Sequence, residues 1–407
     1  MRISLKVVDE ILHWSLVGIP FSIAFGPGFT NTLIIFLVLS FLIKRIATRQ
    51  GLSLPLHVWL PFLCMGLCAF LSFANTIDLR ASWQGIGKIA YSAWIFIICA
   101  EELRDTHRLR QVIVAITIGA VISSLDAFWQ MGTGRDFIRG WPPMDFIGFK
   151  RATAAFPHTN ILGVYLSACA PLIVGVGLFF YKGAKRFWML LAGVMSSVAL
   201  GLTYSRGAAA GLLISVLYIC FARRNYLIPI VFFALLCVFP FMVRGQILPW
   251  MRAQNYDPVR IMLSDDRLII YRNSVNMIRH HPFIGVGVNT FSQNYKRYKL
   301  PDPAGVQSSD SMYAHNNFLH MAGEIGLLGA ACFVWFLIAL SVYARRAYRR
   351  IADDEYLRVS LLALTACLLS FLINGLTETS LYYSRVCMIF WYMAGVVISY
   401  GKSVART

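Results

Sequence analysis

Hydrophobic residues run through this chain in blocks close to twenty long, separated by short polar and basic connections. A run of that length crosses the hydrocarbon layer of a bilayer as a helix. A helix also satisfies its backbone hydrogen bonds within one segment, as lipid demands. The alternating ten-residue pattern of a membrane barrel is absent. The pattern predicts about twelve spans. They fall at 11–26, 29–43, 57–75, 83–100, 111–128, 159–181, 188–204, 207–221, 226–242, 316–343, 359–376 and 385–401. The expected fold is all-α and integral to the membrane. A bundle over 1–241 holds about nine spans, a large hydrophilic loop covers 242–315, and a second bundle over 316–407 holds about three. No small-residue cleavage site follows the first apolar stretch, so no removable signal peptide is expected.

Within the large loop, Leu268, Tyr271, Val275 and Ile278 recur at helical spacing, which predicts a short amphipathic helix. Ser264 or Asp265 suits its start and Asp266 its positive end. Pro282 stops it, and Gly285 and Gly287 mark a tight turn. Residues 300–313 read as a loop.

Composition supports the membrane reading: 58% of residues are hydrophobic and only 14% charged, against about 25% charged in a soluble domain. Charge then sets orientation. Lys44-Arg45, Arg104/Arg108/Arg110, Lys182/Lys185/Arg186, Arg223-Arg224 and Arg345-Arg346 with Arg349-Arg350 alternate with weakly charged connections. Basic residues are retained in the cytoplasm, which puts both termini there. The 129–157 and 242–315 loops and the Ser205–Gly207 and Leu376–Ser384 turns are then extracytoplasmic. The net charge of +18 exceeds what topology needs, and the surplus arginines on the outer side imply an anionic partner. With no soluble basic domain, nucleic acid is not that partner. The nine cysteines sit in or at the ends of spans, as apolar packing residues do, and no structural metal site is expected.

A few residues stand out as chemistry. Arg206, in LTYSRGAAAG, sits at a membrane edge, where it is costly unless it snorkels or meets an anion. The small residues after it clear space around the guanidinium. His315 opens AHNNFLHMAGEIGLLG, where His315, Asn316, Asn317, His320 and Glu324 form a polar cluster at a span's start. An imidazole there suits a general base. Arg267, Arg272 and Arg279 lie on the amphipathic helix, and Arg267 at its first turn suits a phosphate. His158 and Asn160 in FPHTNILG and Glu378 in LTETSLYYSR sit at outer span ends, where helix capping is the simpler reading and a supporting role the other. Guanidiniums and a histidine on one outer face suit transfer from a lipid-linked pyrophosphate sugar without a metal.

The ordered set SRGAAAG, DDRLIIYRNSVNMIRHHPFIGVGVNTF and AHNNFLHMAGEIGLLG resembles the O-antigen ligase and polymerase superfamily. HPFIGVG, and His315 with ten residues between it and Gly326, look like the ligase branch. The resemblance implies a bacterial inner-membrane glycosyltransferase with a periplasmic site and no cofactor. It would move polysaccharide from undecaprenyl pyrophosphate to lipid A–core oligosaccharide. It implies His315 as catalytic base and Arg206 with Arg267 or Arg272 as pyrophosphate ligands, the choice between the last two staying open. Membrane lipids are the remaining partners. O-antigen polymerase and protein O-oligosaccharyltransferase share the donor chemistry. A glycan flippase or transporter would instead show charged groups along the membrane midplane and repeated halves, and neither is apparent.

Overall fold

The computed structural model describes residues 5–103, 105–146, 149–226, 265–301, 309–351 and 354–404. Eight helices come first: α1 (Leu5–Ser22), α2 (Pro27–Thr48), α3 (Leu56–Leu71), α4 (Leu79–Glu102), α5 (Thr106–Thr133), α6 (Thr159–Phe179), α7 (Gly183–Gly201) and α8 (Arg206–Ala222). A small hairpin, β1 (Met144–Phe146) against β2 (Phe149–Arg151), lies between α5 and α6. Then come α9 (Asp265–His280), the single turn α10 (Phe291–Asn294), α11 (Asn317–Arg350), α12 (Glu355–Asn374) and α13 (Ser384–Val404). Every predicted span falls on one of these helices except 226–242, which, with the loop stretches 242–264 and 302–308, lies outside the described residues. Among the described residues seven helices are long and apolar enough to cross a membrane. This is an all-α membrane protein.

Helix starts follow their capping residues. Asp78, Asp105, Asn316 and Asp354 each accept a backbone N–H from the first turn of α4, α5, α11 and α12, which satisfies donors the helix leaves open. Pro27 begins α2, where its missing N–H costs nothing. The most apolar segments are not all central. The α6 and α13 windows are 89% and 94% buried, against 28% for α2, so α6, α12 and α13 form the middle and α2 and α3 face outward.

The alternating loops sort to opposite ends of the bundle. At one end Lys44 pairs with Asp9 (2.5 Å) and Glu102 (2.7 Å), Arg108 with Asp9 (2.7 Å), and Arg45 (2.9 Å) and Lys402 (2.7 Å) with Glu101. These contacts gather the ends of α2, α4 and α13 with the starts of α1 and α5. At the other end Arg139 reaches the Phe25 carbonyl and Arg151 the Thr203 carbonyl. The 129–157 segment, the α1–α2 turn and the α7–α8 turn therefore share one face.

α11 is broken near its start. Gly326 has φ +76 and leaves the helical path. The HPFIGVG segment fills the break. Val286 N–H donates to Gly323 O (2.9 Å), Gly287 N–H to Glu324 O (3.0 Å) and Leu327 N–H to Pro282 O (2.7 Å). The backbones touch so closely that a Cβ at Gly326 would lie 2.0 Å from Phe283 O, and one at Gly285 2.3 Å from Glu324 O. These two glycines are required, by φ and by space together.

α9 packs on α11, but not through the face its apolar residues predict. Ile270, Asn273, Ser274, Met277 and Ile278 are buried, while Val275 is 38% exposed. Two polar residues can sit inside because they are satisfied. Asn273 Nδ2 donates to the Tyr295 hydroxyl (2.8 Å), its Oδ1 accepts from Leu300 N–H (3.0 Å), and Ser274 Oγ donates to Ile270 O (2.7 Å). Hydrophobicity alone cannot see such a face. The helix begins at Asp265, as expected, and the alternative start Ser264 lies outside the described residues.

Gly326→Ala is expected to destabilise the protein by about 3 kcal/mol, clash and backbone strain combined. Gly140→Ala, at φ +75 in open space, carries the strain alone and is expected to cost about 1 kcal/mol. Thermal unfolding in detergent compares the two, and equal losses would refute the tight docking.

Candidate functional site

The site is built where four loops meet at the end of the bundle opposite the Glu101–Glu102 network. Its centre is Glu378, in the turn between α12 and α13 and only 3% exposed. Its Oε1 lies 2.9 Å from His315 Nδ1. Its Oε2 accepts from Asn160 Nδ2 at 2.6 Å and from Arg267 Nη2 at 3.3 Å. Asn160 Oδ1 accepts in turn from Arg151 Nη2 at 3.1 Å. One carboxylate thus ties the 315 segment, the start of α6 and the start of α9 together.

Local backbone explains each placement. His315 takes a left-handed conformation, φ +46, which is rare for a residue with a Cβ. The Tyr271 hydroxyl lies 3.0 Å from its carbonyl and 2.9 Å from that of Leu376, so α9 and the 374–384 turn hold it there. Asn316 caps α11 through Phe318 and Leu319 N–H and also donates to Leu376 O (2.9 Å). Asn317 is buried and joins Ser380 Oγ (2.9 Å) and Leu381 N–H (3.0 Å). Arg206 is the first residue of α8. The bare Cα of Gly207 lets that helix approach Thr377, whose Oγ1 occupies the place of a Cβ, and Gly211 does the same against Ser370. The small residues after Arg206 thus seat α8 against the turn that carries Glu378.

The electrostatics follow from this crowding. Burial pushes the Glu378 carboxyl up, but the His315 hydrogen bond and the charges of His315, Arg267 and His158 outweigh it and hold the pKa below the usual range. An ionised carboxylate only accepts. His315 Nδ1 therefore carries the proton of this hydrogen bond. Burial, then the charges of Arg267 and Arg206, pull Arg151 below the ordinary arginine value, and Glu378 opposes them. Three guanidiniums around one carboxylate leave an excess of positive charge. Burial also lowers His158, against the pull of Glu378. Its Nδ1 accepts from Asn160 N–H (3.1 Å), the capping bond expected of it.

The structure brings together Arg206, Arg267, His315, His158 and Glu378, with Asn316 beside them. Arg272 is exposed. Five residues on from Arg267, it points about 140° away around α9. His320 and Glu324 are fully buried elsewhere. The His320 ring stacks on Phe291 (4.4 Å) and meets Tyr382 (3.9 Å), its Nε2 is 3.2 Å from Glu324 Oε1 without hydrogen-bond geometry, and Glu324 Oε1 accepts from Phe291 N–H (3.2 Å). They brace the α10–α11 packing. Arg151, which the sequence did not single out, joins the cluster; it ends β2 next to Lys150 and nothing local marks it. Among the described residues no three His, Cys, Asp or Glu side chains converge in a group able to hold a metal.

Fold and site define a multi-pass helical membrane protein with a cationic, histidine-bearing cluster at one end. Residues 191–334, about a third of the chain, match the family model described as O-antigen ligase. The matched segment holds Arg206, Arg267 and His315 but not Arg151, Asn160 or Glu378. No curated protein matches the chain. One solved chain, from work described as "Structural coordination of polymerization and crosslinking by a peptidoglycan synthase complex", aligns with 88% of this chain and 100% of its own, at 16% identity and a TM-score of 0.49.

Glu378→Gln is expected to lower stability at neutral pH by about 2 kcal/mol, since Arg267 loses its charged partner. Because the folded pKa of Glu378 is depressed, its contribution is complete above the unfolded value, about 4.3, and is lost as pH falls through the folded value. Melting curves of the wild type should therefore fall in acid by a component that the Gln variant lacks. Parallel curves would refute the ionised state.

Proposed function

We propose that this protein is an O-antigen ligase. It would transfer polysaccharide from undecaprenyl pyrophosphate to lipid A–core oligosaccharide at the periplasmic face of the bacterial inner membrane. The observation that carries the reading is the Glu378–His315 pair set among Arg151, Arg206 and Arg267. The family match over 191–334 supports it. The clustering of the basic short loops at the far end supports the orientation, since retained lysines and arginines mark the cytoplasm.

Glu378 fixes the imidazole tautomer, and Nε2 of His315 takes the proton of the acceptor hydroxyl. That oxygen forms a bond to the anomeric carbon from the face opposite the leaving group. The bond to the pyrophosphate oxygen breaks, and its electron pair leaves with undecaprenyl pyrophosphate. Arg206 and Arg267 neutralise the charge that grows there, with Arg151 adding to the local positive potential. Configuration inverts at one displacement. The guanidiniums supply the electrostatic stabilisation, so the reaction requires no metal.

The test is purified protein reconstituted with undecaprenyl-pyrophosphate glycan and lipid A–core, without nucleotide and with chelator. Product is expected, and its loss on chelation would overturn metal independence. His315→Ala should cut the rate by about 10²–10⁴ and Arg206→Ala or Arg267→Ala by about 10². A His315→Ala variant that ligates at the normal rate removes the base role. In cells, deletion should leave core-only lipopolysaccharide. Single-repeat lipopolysaccharide would instead identify a polymerase, and loss of glycosylated protein an oligosaccharyltransferase.

A further inference from the structure

A separate pair of guanidiniums lies at the same end of the bundle, outside the Glu378 cluster. Arg385, the second residue of α13, is only 5% exposed. Its Nη1 donates to Ala155 O at 2.7 Å, and the group lies over the Phe156 ring, 5.0 Å from its centre. Its Nε and Nη2 have no hydrogen-bond partner. Arg139, between α5 and β1, stacks on Trp141 at 4.6 Å and donates through Nη2 to Phe25 O at 3.4 Å. The two meet on the bare Cα of Gly26: the place of a Cβ there is 2.0 Å from Arg139 Nη2 and 2.9 Å from Arg385 Nη2.

Like charges in contact repel, and buried N–H groups without acceptors cost the desolvation they cannot recover. Neither problem is solved by the nearby acids. Asp136 is occupied by the N–H groups of Ile138, Arg139 and Trp141. Asp126 accepts through Oδ1 from Phe137 N–H, its Oδ2 is unpartnered, and among the described residues no ion pair joins either acid to either arginine. Holding the Ala155 carbonyl takes one N–H and leaves the others unexplained. An oxyanion seated between the guanidiniums would answer both, since its oxygens accept from several forked N–H groups at once.

We propose that Arg139 and Arg385 form a second oxyanion site, for a phosphate group, distinct from the catalytic cluster. The segment 151–160 joins the two. Arg151 and Asn160 belong to the first site, and Ala155 and Phe156 line the second. On the ligase reading above, two phosphate-bearing lipids must be held side by side, and this site takes a phosphate of the acceptor lipid. That assignment rests on the ligase reading, but phosphate binding itself does not.

The experiment titrates inorganic phosphate into the full chain in neutral detergent at constant ionic strength, in an Arg206→Gln/Arg267→Gln background that weakens the first site. The melting temperature is expected to rise with phosphate as a bound ligand requires. Adding Arg139→Gln, or Arg385→Lys, which keeps the charge but loses the fork, should abolish the rise. No rise in the background, or a rise that survives both variants, would overturn the site. Nanodiscs of phosphatidylcholine with and without lipid A separate the sources. Stabilisation by lipid A that inorganic phosphate competes away supports a lipid-borne group, whereas a response to free phosphate alone overturns the lipid assignment. In wild-type protein, absence of glycan transfer would sink the ligase reading and leave the phosphate titration standing.

Discussion

A buried carboxylate must be paired, and Glu378 is the one on which this end of the molecule depends. It draws an amide from α6, an imidazole from the segment before α11 and a guanidinium from α9. Each comes from a different part of the chain, and each would otherwise be a polar group at the end of an apolar bundle. The pairing therefore acts on fold and chemistry together. It anchors three segments, and it places a proton of His315 on Nδ1, with Nε2 on the ring edge away from the carboxylate.

The pairing needs a backbone that delivers His315 and Arg267 to the same place, and the break in α11 provides it. A continuous helix satisfies its own carbonyls and offers nothing to a neighbour. At Gly326 the path leaves the helix, and the carbonyls of Gly323 and Glu324 accept from the 286–287 turn instead. The segment after α9 is thereby stitched to the start of α11. His320, Phe291 and Tyr382 pack beneath this junction. The 265–301 segment is thus docked onto the bundle, and the buried, satisfied Asn273 and Ser274 of α9 belong to the same interface.

Much of this was legible in the sequence because it rests on local physics. Span length and apolarity gave the helices, and the basic loops predicted which connections share an end. The ion pairs of Lys44, Arg45, Arg108 and Lys402 bear out that sorting for the end they occupy. Gly285 and Gly287 were visible as punctuation and Gly326 only as a motif position, though not their partners. The buried face of α9 was misplaced, because a satisfied polar residue and an exposed one look alike until their partners are known.

The sequence by itself determined the class of molecule and singled out Arg206, Arg267 and His315, since an arginine or histidine at an apolar run's edge is costly wherever it goes. Only the tertiary structure decided how they act. Glu378 and His158 looked like helix caps, and one proved to be the hub. Arg272 was indistinguishable from Arg267 until the turn of α9 separated them. Arg151 carried no local signal, and Arg385, though at the edge of the 385–401 run, was not singled out. The reason is physical: the cost of a charge near lipid is written in its neighbours along the chain, but its partner is chosen by distance in space, across 63 residues for His315 and 218 for Asn160.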